Sequence, residues 1–197
     1  MQDLLSHGRT RQKQRTRDAL ITAARHLIGE GKAPTVEAAA VEAGISRTTA
    51  YRYFKNQADL LAATYPEIQK TSLLPAHAPD DPAARLDLVV KEITRTLIEY
   101  EQSYRTMLRL ALDPATPRES LVLRQGRAIG WLEDALAPLR AELSRSQLRR
   151  IAVSIRSAIG IEAYVWMVDV AGLSPDEAVR TMRWSARAIL RGALTGD

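Results

Sequence analysis

Apolar residues in this chain recur at the spacing of helical faces, with polar residues between them. From Arg15 to Gly29 they follow the i, i+3, i+4, i+7, i+8 rule of an amphipathic helix, at Leu20, Ala23, Ala24, Leu27 and Ile28. The alternation of β-branched residues that marks strands is absent, as are Asn-Gly and Asp-Gly hairpin signals. The pattern therefore predicts an all-α fold.

Two short helices around a tight turn are predicted between Thr35 and Phe54. Thr35 is a good N-cap, and the apolar positions after it predict a helix of about two turns. Gly44 favours the left-handed conformation that ends helices, and Ser46 can cap the next helix. A helix, a turn containing Gly and a second helix form a helix-turn-helix, here followed by a third helix.

The second short helix is rich in side chains that contact DNA in other proteins. Arg pairs with guanine edges, Thr meets thymine methyls or phosphate, and Tyr hydroxyls reach phosphate oxygens. Such a helix can also be only a solvated face. The residues predicted to contact DNA are Thr35, Ser46, Arg47, Thr48, Thr49, Tyr51, Arg52, Tyr53 and Lys55.

The same stretch resembles a known family. Thr35, Ala39, Ala40, AGISR at 43–47, TAYRYF at 49–54 and Leu60 look like the DNA-binding domain of the tetracycline-repressor (TetR) family of bacterial regulators. The resemblance covers roughly residues 15–61. It implies a one-component regulator, expected to be a repressor, that binds a palindromic double-stranded operator. The family usually has Lys where this chain has Gln57, and Lys55 is close enough to replace its phosphate contact.

Three prolines in residues 71–82 mark the main predicted domain boundary. Before them we expect a connecting helix from the cap Asn56 to about Ile68, and after them Asp81-Pro82 predicts a helix start. The predicted organisation is a basic arm (1–14), a helix-turn-helix domain (15–56), a connecting helix and loop (57–80) and a helical ligand-binding and dimerisation domain (81–197).

Further helix boundaries are predicted in the last of these domains. A long helix to about Tyr100 and a shorter one to Leu112 are expected, with a break near Ser103, and capping boxes are expected at 116–119 and 144–147. Pro138 must kink or end the helix that contains it. The helix that the second box opens is predicted to end at Gly172, and its part from Ala158 to Ala171 is apolar on nearly all sides, which predicts burial on more than one face.

The positive charge is concentrated at one end of the chain. The 197 residues carry a net charge of +5, and a hydrophobic content of 46% fits a globular protein. Residues 1–65 hold 10 Lys and Arg against 6 Asp and Glu, net +4, whereas the remainder has 18 against 17, net +1. The excess lies beside the helix-turn-helix. Arg9, Arg11 and Lys13 predict a mobile arm that contacts DNA or a tail that only aids solubility.

Catalytic and metal-binding motifs are absent from the sequence. It contains no phosphate-binding Gly loop, no zinc-protease motif and no nucleophile elbow, and its three His are scattered. It has no Cys, which fits a reducing compartment. No signal region or run of ~20 apolar residues is found. We therefore expect a cytoplasmic protein that is not an enzyme, with no cofactor, metal or membrane partner.

Aromatic residues with polar tips recur at helical spacing in the last domain. They are most often core or dimer contacts; alternatively they line an apolar pocket for a small molecule. The family resemblance favours the pocket, because similar regulators bind an inducer in a helical C-terminal domain. The residues predicted to line it are Tyr100, Tyr104, Met107, Trp131, Tyr164 and Trp166.

The last two helices carry apolar stripes suited to pairing with a second copy. Helix-turn-helix proteins usually read two half-sites through a two-fold axis, and the paired helices would form a four-helix bundle. The residues predicted at this homodimer interface are Ile155, Ile159, Met182, Ala186, Ile189 and Leu190. Two rival interpretations stay open: a helical small-molecule-binding protein without sequence-specific DNA binding, and an enzyme whose catalytic group is not visible.

Overall fold

The computed structural model describes residues 2–32, 34–65, 70–114 and 126–195, which form helices and connections with no strand among them. The predicted all-α fold is confirmed. Contacts within the chain define two compact units, one of Met1–Ile68 with Arg109–Gln125 and one of Gln69–Leu108 with Gly126–Asp197. The proline-containing loop therefore belongs to the second unit.

The first unit is built around four helices: α1 (Gln2–Gly29), α2 (Val36–Glu42), α3 (Arg47–Tyr51) and α4 (Gln57–Thr64). Its core joins one face of α1 to the small residues of α2 and to Ala50 and Phe54 at α3. Because α2 presents Ala at the crossing, α1 and α3 can both pack closely against it. The buried residues of this core are Leu20, Ile21, Ala23, Ala24, Val36, Ala39, Ala40, Ala50, Phe54 and Leu60.

The expected basic arm is helical in the structure. Helix α1 begins at Gln2, so residues 2–14 continue the amphipathic helix toward the N-terminus. Polar side chains one turn apart support this extension: Gln14 donates a hydrogen bond to Asp18 at 2.8 Å, and the Thr16 hydroxyl donates to the Gln12 carbonyl at 3.0 Å. A solvated helix needs no apolar stripe, so the absence of a stripe in residues 2–14 did not indicate their helical structure.

A side chain of α1 binds the C-terminal end of α4. Arg25 on α1 donates from Nε and Nη2 to the carbonyl of Thr64, at 3.0 and 2.9 Å. Carbonyl groups in the last turn of a helix have no partner within the helix, so a cation there satisfies them. The cap Asn56 is present and accepts from the Asp59 N–H at 2.8 Å. The predicted continuation of α4 to Ile68 lies outside the described residues.

The second unit contains α5 (Pro82–Glu99), most of α6 (Glu101–Leu112), α7 (Arg127–Ala135), a 3-10 turn (Ala137–Ala141), α8 (Arg145–Ala158), α9 (Ile161–Val165), a π-helical turn (Trp166–Val170) and α10 (Pro175–Thr195). Helices α5 and α8 each pack against α7 and α10. The largest fully buried side chains of this core are Leu86, Leu132, Leu136, Ile155, Ile159, Tyr164, Met182 and Leu190.

Local sequence signals place most ends of these helices. Asp81 caps α5 by accepting from the Ala84 N–H at 2.8 Å, and Ser144 forms a reciprocal capping box with Gln147. Helix α7 ends before Pro138, as predicted. The long helix ends at Tyr100 and the shorter one at Leu112, as predicted, and the break lies at Tyr100 rather than near Ser103, since the Tyr100 backbone leaves the helical region at φ −117 and ψ 30. The capping box expected at 116–119 lies outside the described residues.

The single helix predicted from the capping box at 144–147 to Gly172 is interrupted. Helix α8 ends at Ala158, and Gly160 takes an extended conformation before α9. A side chain at position 160 would displace only the flexible ends of Arg156 and Glu162, and the backbone there is extended, so the break does not require Gly. The predicted burial on several sides is also not found in the single chain, since Trp166 is 59% and Val170 71% exposed.

One segment, Arg145–Val170, is long and apolar enough to cross a membrane by length and composition, with a mean hydropathy of 1.4. This contrasts with the expectation that no such run exists. In the fold the segment is divided between α8, α9 and the π turn, and Ile151, Ala152 and Ile155 lie in the core. A core helix of a globular domain passes the same test, so the segment is weak evidence for a membrane span.

Candidate nucleic-acid interface

The helix-turn-helix has the capped geometry that the sequence predicts. Thr35 accepts from the Ala38 N–H at 3.0 Å, and Ser46 accepts from the Thr49 N–H at 3.3 Å. Gly44 lies in the left-handed region at φ 64, where a residue with a Cβ is strained. Thr35 thus begins α2, Gly44 follows the end of α2 and reverses the chain, and Ser46 begins α3.

The nine residues predicted to contact DNA all have accessible side chains in this unit. Arg47 forms an ion pair, and 72% of its side chain is nevertheless exposed. Thr49 is half-buried, and its hydroxyl accepts from Ser46 at 2.8 Å. Tyr53 is half-buried against the core. The remaining members of the set are exposed: Thr35, Ser46, Thr48, Tyr51, Arg52 and Lys55.

An acidic residue that the sequence prediction missed lies beside these side chains. Glu37, in the first turn of α2, accepts a hydrogen bond from the Tyr51 hydroxyl at 2.6 Å. The same oxygen, Oε1, lies 2.9 Å from Nη2 of Arg47. The Arg47 guanidinium also lies 5.7 Å from the centre of the Tyr51 ring, within cation-π range. The three side chains therefore form one cluster across α2 and α3.

The cluster changes the ionisation of its members. The hydrogen bond from Tyr51 lowers the pKa of Glu37, so the carboxylate stays charged at neutral pH. The same bond raises the pKa of Tyr51, which keeps its proton. No periodic rule links these residues, since Glu37 and Tyr51 are 14 positions apart and on different helices. Only the crossing of α2 and α3 reveals the contact.

The base of α3 is held from behind by α1. The Arg17 guanidinium lies 5.5 Å from the centre of the Phe54 ring, whose side chain is 3% exposed. Arg17 thus combines a packing contact with a positive charge on the unit that carries the excess of cations. It is not among the residues that the sequence singled out.

Three of the residues predicted to line a ligand pocket share one core in the second unit, since Tyr104 and Trp131 pack against the buried cluster that contains Tyr164. Trp166 is 59% exposed, so it does not line an enclosed pocket, and Met107 is 2% exposed. Trp131 is half-buried and donates from its indole N–H to the Lys70 carbonyl at 2.9 Å. Tyr100 and Tyr104 are half-buried on α5 and α6. No cavity described in this unit gathers these residues.

Tyr164 has a defined polar environment inside the second unit. Its ring is fully buried, and its hydroxyl donates to Glu101 at 3.0 Å. Arg105 contacts the other Glu101 oxygen at 2.7 Å and forms a two-pronged pair with Asp169 of the π turn, at 2.6 and 2.8 Å. The pairing raises the pKa of Arg105 and lowers that of Asp169. The Arg105 guanidinium and the carboxylates of Glu101 and Asp169 therefore lie beside the buried Tyr164.

The predicted dimer residues are mostly unavailable to a partner. Their side chains form the apolar centre of the single chain because the stripes on α8 and α10 face each other and α5. Only Ile189 is half-buried rather than buried. The residues that the core already covers are Ile155, Ile159, Met182, Ala186 and Leu190, each at most 2% exposed.

Different residues of the same two helices are open. A groove of about 440 Å³ between α8 and α10 is lined by Arg150, Ile151, Ser154, Ile189, Gly192 and Ala193. Val153 on α8 is 45% exposed and Trp184 on α10 is 63% exposed, so each helix also presents an open apolar side chain away from the core. The sequence pattern did not separate this outer face from the core stripe.

Comparison with known proteins adds a family assignment for the first unit. Residues 20–64 match the sequence model of a family described as bacterial regulatory proteins, tetR family. No curated protein matches the chain significantly. A crystal structure of a TetR transcriptional regulator from Rhodococcus sp. RHA1 is similar, at 17% identity and a TM-score of 0.49, over 91% of this chain and 97% of that one. The assignment rests on the match to residues 20–64, which includes all nine predicted DNA contacts.

The environment of Tyr164 predicts a specific loss of stability at alkaline pH. Burial, followed by the hydrogen bond to Glu101, raises its pKa from 10.0 to about 12. The unfolded chain therefore releases this proton first, so the stabilisation is complete below about pH 10 and is lost as the pH rises through about 12. We expect Tyr164→Phe to remove up to about 3 kcal/mol of this alkaline dependence. Thermal unfolding of both proteins across that range measures it, and parallel curves would contradict it.

Proposed function

We propose that this chain, which belongs to the tetR family of bacterial regulatory proteins and is a DNA-binding regulator of transcription, acts as a one-component repressor. A small molecule bound in the second unit modulates its binding to an operator. The observation that carries the DNA contact is the accessible set of Arg, Thr and Tyr side chains on a capped α3. The proposed place of action is the cytoplasm, with no role in catalysis.

The residues of the interface divide by their chemistry. Arg47, Thr48, Thr49 and Tyr51 lie on α3 and are proposed to face the base edges in the major groove. Thr35 and Ser46 mark helix N-termini, where backbone N–H groups favour a phosphate. The phosphate contacts after α3 are assigned to Arg52, Tyr53 and Lys55.

Binding of a palindromic operator requires two copies of the helix-turn-helix, and we propose that the outer face of α8 and α10 joins them. Val153 and Trp184 are exposed apolar side chains of these two helices, and the groove between α8 and α10 contains Ser154 and Gly192, where small side chains allow close approach of a second helix pair. The homodimer would then place the recognition helices at half-sites ~34–36 Å apart, or a multiple of this. Ala186 and Leu190 are buried in the core beneath this face, so they support it without contacting the partner.

The effector site is proposed within the second unit, around the buried ring of Tyr164. Tyr164 with Glu101 and Arg105 supplies oriented polar groups at an apolar boundary, which is the composition of small-molecule sites. A ligand changes operator affinity only if it prefers one arrangement of the protein to another. The rival function, a helical small-molecule-binding protein without sequence-specific DNA binding, predicts ligand binding with no change in DNA affinity.

The first test concerns DNA contacts. We expect Arg47→Ala, Thr49→Ala and Tyr51→Ala each to weaken operator binding, with base-reading losses of ~1–3 kcal/mol. Lys55→Ala should weaken binding to all sequences alike and lower the salt slope by about one unit. Fluorescence anisotropy with the upstream region of the gene and with unrelated DNA measures both effects. Unchanged operator affinity in all three α3 variants would exclude this interface.

The second test concerns the dimer. Trp184→Glu places a charge on the exposed outer face, so we expect a folded monomer that no longer binds a palindromic operator. Ala186→Glu, at 1% exposure, should instead unfold the domain because it buries a charge in the core. Light scattering and thermal unfolding separate the two outcomes. A wild-type protein that remains monomeric with operator DNA at micromolar concentration would contradict the proposal.

The third test concerns the effector. Trp131 is half-buried near the proposed site, whereas Trp166 and Trp184 are exposed, so ligand binding should change mainly the Trp131 fluorescence. A panel of apolar, cationic and anionic compounds is titrated against wild type and Trp131→Phe. Hits are then added to the operator complex. A compound that binds tightly and leaves DNA affinity unchanged favours the rival function.

A further inference from the structure

Glu37 places a negative charge on the surface proposed to meet DNA. The residue lies on α2, and its side chain is 38% exposed beside Arg47 and Tyr51 of α3. Since every phosphate of a duplex is also negative, this carboxylate disfavours contact with DNA of any sequence. Because it also neutralises Arg47 locally, it reduces the attraction that Arg47 offers to phosphates. Its presence is therefore unfavourable to affinity and needs another explanation.

The geometry of the cluster supplies that explanation. Both contacts use the same carboxylate oxygen, with the Tyr51 hydroxyl at 2.6 Å and Nη2 of Arg47 at 2.9 Å. The guanidinium is also stacked at 5.7 Å from the Tyr51 ring. One Glu37 carboxylate oxygen thus restrains two flexible side chains on the exposed side of α3, which is proposed to contact the bases. Neither side chain is held by burial, since Arg47 is 72% and Tyr51 36% exposed.

We propose that Glu37 is a positioning residue that sets sequence specificity, by holding Arg47 and Tyr51 in one arrangement while disfavouring indiscriminate phosphate contacts. This inference rests on the proposed function, because it assumes that α3 reads an operator. The guanidinium uses Nη2 for Glu37, and its other N–H donors can pair with the two acceptors of a guanine edge. Without Glu37, the same Arg turns toward phosphates of any sequence.

The size of the effect follows from side-chain ordering. Immobilising one flexible side chain on binding lowers affinity by roughly twofold to twelvefold. Two side chains ordered in advance, Arg47 and Tyr51, should therefore contribute about tenfold to the preference for operator over unrelated DNA. Removal of the charge should in addition raise affinity for unrelated DNA by a few fold at low salt.

The matched control lies on the same helix. Glu42 is 40% exposed, nearly the same as Glu37, and its carboxylate pairs with His26 on α1 at 3.0 Å. Glu42→Gln removes one negative charge from α2, as Glu37→Gln does, and leaves α3 untouched. A general electrostatic effect therefore acts in both variants, whereas loss of positioning acts only in Glu37→Gln.

The experiment compares dissociation constants for an operator duplex and a scrambled duplex of the same length and composition, over a range of salt. We expect Glu37→Gln to bind the scrambled duplex more tightly and to lose about tenfold in the operator preference. Glu42→Gln should shift both duplexes alike. An unchanged preference in Glu37→Gln, or an equal loss in both variants, overturns the inference. If wild type binds both duplexes equally, the proposed function itself is wrong.

A second variant separates charge from position. Glu37→Asp keeps the charge on a side chain that is shorter by one methylene, so it should lose the operator preference without gaining affinity for the scrambled duplex. If Glu37→Asp retains the full preference, the charge and not the position of the carboxylate is responsible, and the inference is overturned. Unchanged melting temperatures in the variants exclude unfolding as the cause. Combining Glu37→Gln with Tyr51→Phe should give less than the sum of the separate losses.

Discussion

Helix α3 has five residues, and a helix of this length is not stable by itself in water. Its position therefore depends on two buried side chains, Ala50 at 0% and Phe54 at 3% exposure, which fix it against α1 and α2. The caps at Ser46 and the left-handed Gly44 set where it begins. Because Ala50 and Phe54 pack on one side of α3, the side chains on its other side are not needed for packing and are available to contact DNA. The small residues Ala39 and Ala40 of α2 permit this arrangement, since larger ones would push α3 outward.

The same packing explains why an acidic residue matters on a basic unit. Once α2 and α3 cross at fixed distance, a side chain in the first turn of α2 reaches the exposed side of α3, and Glu37 does so with both Arg47 and Tyr51. A short helix anchored on one side still leaves long exposed side chains mobile, so precision at the reading face must come from contacts among those side chains. A charge that weakens general attraction to DNA is compatible with function when it restricts the geometry of the residues that discriminate.

Features encoded within a few residues were predictable, and features that depend on distant packing were not. The caps Thr35, Ser46, Asp81 and Ser144 bind N–H groups three positions away, so their residue types were sufficient. The family resemblance was equally local, and the match to residues 20–64 agrees with it. By contrast, the break at Gly160, the contact of Glu37 with α3 and the partners of Tyr164 join residues that sequence periodicity treats as independent. The arm at 2–14 shows a further limit, since an absent apolar stripe does not exclude a solvated helix.

The apolar stripes of α8 and α10 show that periodicity identifies a buried helix face but not the surface that buries it. A stripe reports only that one side of a helix is buried, and it does not distinguish the chain's own core from a partner. Here Ile155, Met182 and Leu190 bury one another within the chain, so any interface on these helices must use the rows beside them. The open positions of the two helices include Trp184 and Val153 as well as Arg150 and Ser154 of the groove, which makes the surface more polar than a core. Since a mixed surface of this kind gains less from burial than an apolar stripe, such a dimer would depend more on packing around Trp184 and on polar contacts, and its association would be more sensitive to protein concentration and salt.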